Sequence, residues 1–135
     1  MKTTRVLSHV EAWKIVDAVR AELERDDRGA AVAVCDAHGE LIALLRTDDC
    51  PLASINNAIN KAFTAARERK ESQEVGEASR TEDFAITNFG DLRYTGWGGG
   101  VPIIVGGNTV GAVGVSGLPE ADDVELARMG AKLVT

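Results

Sequence analysis

The sequence predicts a single α+β domain over residues 1–135, an antiparallel sheet with helices packed on it in two or three layers. Three observations predict it. A capping signal at Ser8 opens an amphipathic segment, an apolar stripe at helical spacing runs from Ile55 to Ala66, and two pairs of apolar runs are each joined by a short turn. The order is helix, hairpin, helix, irregular segment, hairpin, helix.

Ser8-His9-Val10-Glu11 is a capping box, in which the Ser hydroxyl bonds the amide three residues on and Glu11 reaches back. The helix after it carries Ala12, Val16, Val19 and Leu23 on one face and ends at Asp26-Asp27-Arg28-Gly29. Trp13 neighbours that face, as a core residue or an oligomer contact. Ala30 to Cys35 is a continuous apolar run, hence a strand buried on both faces. Asp36-Ala37-His38-Gly39 turns the chain, and Glu40 to Arg46 returns as its partner. Ser54 is the expected cap of the most regular helix, whose stripe is Ile55, Ala58, Ile59, Ala62, Phe63 and Ala66. From Glu68 to Asp83 the chain turns charged and reads as a helix end, a loop and at most a short helical turn.

Trp97 to Gly117 is the second hairpin. Two β-branched runs flank Gly106-Gly107-Asn108-Thr109, and Pro102 suits the start of a strand or an unpaired edge. Gly111 and Gly114 mark places where a backbone or ligand comes close. Gly98-Gly99-Gly100 lacks the strand before, the helix after and the Lys-Ser/Thr that a phosphate loop needs, so it reads as a tight turn into a strand. Acids at Glu120, Asp122 and Asp123 then open the last helix, with Val124, Ala127, Ala131 and Val134 as its stripe.

Hydrophobic residues make up 44% and charged residues 27%, a soluble globular balance, while a net charge of −6 argues against nucleic acid or an anionic membrane as partner. No long apolar span or signal segment is visible, so a cytoplasmic location is expected. Cys35 and Cys50 read as free thiols, Cys35 inside the core. Asp36, His38 and Glu40 have no metal-ligand spacing, and no metal site is expected.

Several motifs in order carry a family resemblance. They are Val32-Ala33-Val34-Cys35-Asp36-Ala37-His38-Gly39-Glu40-Leu41, Arg46-Thr47-Asp48, Ser54 to Ala65, Gly98-Gly99-Gly100-Val101-Pro102-Ile103, Val110 to Gly117 and Asp122 to Ala127. With these the chain resembles the GlcG/HbpS-like family, haem-binding-protein-like domains that also form the C-terminal part of PduO-type proteins. The resemblance implies a profilin-like antiparallel sheet of about five strands with flanking helices, and a homo-oligomer. It implies less about activity, since some members are associated with haem and others with operons for small organic acids or diols.

On that footing the chain is expected to bind a small anionic organic molecule or a haem-type cofactor. The alternatives are a small enzyme doing acid–base chemistry on a carboxylate, with Lys61 and Asp48 as catalytic residues, and a ligand-free structural or regulatory oligomer. For the ligand, Arg46 and Lys61 supply cations, the amides of Gly98, Gly99 and Gly100 complete the cradle, and Trp97 forms a wall. Lys61 lies one step off its helix's stripe, where a lysine either snorkels, the more common outcome, or points into a pocket. An inward Lys61 needs an anionic partner, from Asp48, Asp49 or a bound carboxylate; with one, Lys61→Met is expected to keep the fold and abolish acid binding. For haem, His9 at a helix start is the expected ligand rather than His38 in its turn.

Overall fold

The computed structural model describes residues 1–134. The capping box at Ser8 forms: Ser8 Oγ accepts the Glu11 amide at 3.1 Å, and Glu11 Oε1 accepts the Ser8 amide at 2.9 Å. Helix α1 (His9–Arg25) follows and buries Ala12, Ile15, Val16, Val19 and Leu23. The strands are β1 (Ala31–Asp36), β2 (Leu41–Arg46), β3 (Gly100–Val105) and β4 (Asn108–Ser116). They make one antiparallel sheet in the order β2-β1-β4-β3. The sheet therefore has four strands rather than the five expected. Pro102 sits on the edge strand β3, where its missing donor costs no ladder bond to a further strand. Gly106 and Gly107 both have positive φ (57° and 79°) in the β3–β4 turn, which a two-residue hairpin requires.

The pleat divides the core in two. Val32, Val34, Val113, Val115 and Ile103 join the apolar faces of α1 and α4 (Glu120–Ala131). On the opposite face Ala31, Ala33, Cys35 and Ala112 meet Ala58, Ala62, Ala65 and Ala66 of α2 (Ala53–Glu68). Small residues line both sides of that second interface, so α2 lies almost on the sheet. A Cβ at Gly114 would stand 2.0 Å from the Ala58 carbonyl oxygen, and one at Gly100 would stand 2.1 Å from that of Lys61. Gly100 and Gly114 are thus seats for a helix backbone.

Two local expectations are corrected. Ser54 does not cap α2; the helix begins at Ala53 after Leu52, without a side-chain cap, and Ser54 is buried in its first turn. The charged segment after α2 holds a full helix, α3 (Ser72–Thr81). It has little apolar stripe of its own. A capping box between Glu71 and Glu74 starts it, and Gly76 lets it lie against the loop before β3, where a Cβ would stand 2.2 Å from the Gly96 carbonyl oxygen. Arg128 of α4 grips the Glu71 carboxylate through two bonds of 2.9 Å. Among the described residues no helix is long and apolar enough to cross a membrane.

Candidate functional site

Lys61 points inward. It sits mid-way along α2 with 3% of its surface exposed, its backbone carbonyl facing Gly100 and its ammonium facing Gly99. Nζ donates to the Val115 carbonyl at 3.0 Å and to Asp123 Oδ2 at 3.2 Å. Glycine at 99 and 100 is what makes room: a Cβ on Gly99 would lie 3.0 Å from Nζ itself. The partner, Asp123, is in the first turn of α4 and only 2% exposed. Its other oxygen accepts the Leu118 amide at 3.1 Å. Burial pushes the Asp123 carboxyl above its ordinary range, against the pull of the Lys61 ammonium and of the Leu118 and Gly117 amides.

The loop beside the pair is held at every residue. Gly98 donates to Glu120 Oε1 at 3.0 Å, Gly99 accepts the Val115 amide at 2.9 Å, and Gly100 donates to Ser72 Oγ at 2.9 Å. The amides of Gly98 and Gly100 are therefore not the open anion cradle expected of them. A cleft of about 330 Å³ opens over the pair, at the lower end of the small-ligand range. Ser54, Asn57 and Ser116 line it with hydroxyl and amide groups, Glu120 adds a carboxylate, and Trp97, 61% exposed, stands at its edge.

Of the residues predicted from sequence, Lys61, Trp97 and Gly98 meet in this cleft, while Gly99 and Gly100 support it from beneath. Arg46 and Asp48 do not join them. Both line a separate cleft of about 340 Å³ beside Arg28 and Asp49, which shares no residue with the first. The counter-ion of Lys61 is Asp123, not Asp48 or Asp49: the β2–α2 loop leaves both acids exposed, whereas α4 carries Asp123 under the sheet end. His9 is exposed on the first turn of α1 and lines none of these clefts. In sequence Asp123 reads as one of several helix-opening acids. Yet it stands four residues before Ala127 and eight before Ala131, on the stripe that α4 buries. An acid on a buried stripe is the signal that could have found it. Among the described residues no group of His, Cys, Asp and Glu is placed to hold a metal ion.

The family model for HbpS-like proteins, described as haem degrading protein HbpS-like, matches residues 7–132. The chain belongs to the HbpS-like family. Within it, the chain is 37% identical over 116 residues to Protein GlcG of Escherichia coli K12, covering 86% of this chain and 85% of GlcG. Among solved structures it is similar to a double mutant of Streptomyces reticuli HbpS, with a TM-score of 0.89 and 29% identity over all of this chain and 91% of that one. A PduOC–haem complex shares the fold, with a TM-score of 0.86 at 22% identity and 94% of each chain covered.

Proposed function

We propose that this protein, a cytoplasmic homo-oligomer, binds a small organic acid in the cleft over Lys61 and Asp123. The Lys61 ammonium carries this reading. It is buried at the cleft floor, and Val115 and Asp123 take only two of its three N–H groups. A carboxylate seated there accepts the third and shares the ammonium with Asp123. Two carboxylates around one ammonium repel each other, so binding draws a proton onto Asp123, the group burial already pushes upward. Ser54, Asn57 and Ser116 then serve the ligand's remaining oxygens, and Trp97 forms a wall. Acid–base chemistry on such a ligand would use Lys61 and Asp123, in place of Lys61 and Asp48.

The PduOC structure holds haem, but the residues lining this cleft include no His, Cys, Met or Tyr to ligate an iron. The groups present suit a carboxylate. A thermal-shift series tests the reading, with short-chain hydroxy acids set against the corresponding alcohols. Saturation at a hundredfold excess over Kd stabilises by about 2.7 kcal/mol, which is several degrees for a chain of this size. The acids should raise Tm and the alcohols should not, and Lys61→Met/Asp123→Asn should lose the effect. Acids and alcohols acting alike would remove the assignment. Trp13 and Trp97, both more than half exposed, are the residues expected at subunit contacts. Light scattering giving a monomer mass at micromolar concentration would contradict that part.

A further inference from the structure

The cleft over Lys61 carries a charge imbalance that a simple acid does not answer. Among the described residues lining it, Lys61 is the one cation, against two carboxylates, Asp123 and Glu120. Lys61 and Asp123 pair at 3.2 Å and offset each other, which leaves Glu120 over. A bound acid adds a third carboxylate around one ammonium, on a chain whose net charge is already −6.

Glu120 is exposed at the start of α4, yet it is held in place. Its Oε1 accepts the Gly98 amide at 3.0 Å, and a Cβ at Gly98 would stand 2.7 Å from that oxygen, so glycine there lets the carboxylate close on the loop. Its Oε2 has no partner among the described residues. Lys61 meets the same loop one residue further on, where a Cβ at Gly99 would stand 3.0 Å from Nζ. Consecutive Cα atoms lie ~3.8 Å apart, so the two charges meet the loop within the span of one small molecule. Trp97, the residue before Gly98, lines the same cleft, and an aromatic face attracts a cation rather than an anion.

We infer that Glu120 reads the ligand's second group, and that the ligand class is a short zwitterionic amino acid, its carboxylate on Lys61 and its ammonium on Glu120 Oε2. The inference rests on the carboxylate reading of Lys61 given above. A zwitterion adds no net charge to the cleft: its ammonium offsets Glu120 while its carboxylate takes the third N–H of Lys61. A hydroxy acid in the same pose offers Glu120 a hydroxyl, which is a weaker donor, and a plain acid offers nothing.

The test is calorimetric titration of the full chain at pH 7 with alanine, β-alanine, lactate and propionate, which share a three-carbon acid frame. One of the amino acids should bind at least about fivefold more tightly than lactate, because a charge-assisted hydrogen bond is roughly twice as strong as a neutral one. Propionate should bind most weakly. Glu120→Gln keeps an acceptor for the Gly98 amide and removes the charge, so the ratio of amino-acid to lactate affinity should fall by about the same factor. Lactate or propionate binding as tightly as both amino acids overturns the inference and leaves the carboxylate reading standing. A ratio unchanged in Glu120→Gln also overturns it, because the ammonium then sits elsewhere. If none of the four binds, the inference fails together with the carboxylate reading.

Discussion

Replacing Lys61 by Met should cost the fold about 3 kcal/mol, because the substitution strands Asp123. Met matches the stem of the lysine in volume, so packing on Gly99 and Gly100 survives. The loss is electrostatic: Asp123 is 2% exposed and its Oδ2 loses the ammonium at 3.2 Å. Breaking a buried pair by removing one partner costs about 3–5 kcal/mol. The lower end applies here, since the Leu118 amide at 3.1 Å still serves the other oxygen. The Val115 carbonyl also loses its bond to Nζ. Lys61→Met/Asp123→Asn removes both charges and keeps an acceptor for Leu118, so it should recover most of the loss. Urea unfolding of the native chain, both single variants and the double variant gives the coupling energy. A Lys61→Met variant within about 0.5 kcal/mol of the native chain would refute this reasoning, since that is the range of ordinary surface changes.

Other expected outcomes are independent of the pair. Gly114→Ala should destabilise by about 3 kcal/mol or prevent folding, because its Cβ falls 2.0 Å from the Ala58 carbonyl oxygen and α2 must lift off the sheet; urea unfolding measures it. Tyr94 donates to Glu68 at 2.9 Å, and burial together with that carboxylate pushes its hydroxyl up from 10.0 to about 12. The folded protein then holds the phenol proton between pH 10 and 12 where the unfolded chain has released it, so stability falls as pH rises through that window. Tyr94→Phe should flatten this slope, and an unchanged slope would contradict it. Burial likewise pushes the Cys35 thiol up to about 12, whereas Cys50 is half-buried within the β2–α2 loop. A thiol reagent at pH 8 should modify Cys50 alone in the native protein and both cysteines in denaturant, read by mass.

The fold was largely legible because its signals are local. The Ser8 box, the stripe from Ala58 to Ala66 and the Gly106-Gly107 turn need no tertiary knowledge. What escaped depends on contact between distant segments. Helix α3 has no apolar stripe to announce it and is held by Gly76 against Gly96 and by Arg128 on Glu71. The site was half legible for the same reason. Lys61 and the glycine loop stood out as types out of place, but the counter-ion of Lys61 lies 62 residues away on another helix. Sequence proximity suggested Asp48 and Asp49, which turn to solvent, and Arg46, which belongs to a different cleft. In sequence the three glycines suggest donors for a ligand, whereas their larger part is to let a lysine and a helix backbone come close.

The central claim is that a carboxylate binds at Lys61 and drives a proton onto Asp123. Calorimetric titration of a short-chain hydroxy acid at pH 7, in two buffers of different ionisation enthalpy, tests it directly. Net proton uptake on binding, lost in Asp123→Asn, is the predicted result. Binding with the same heat in both buffers, or no binding at all, would contradict it.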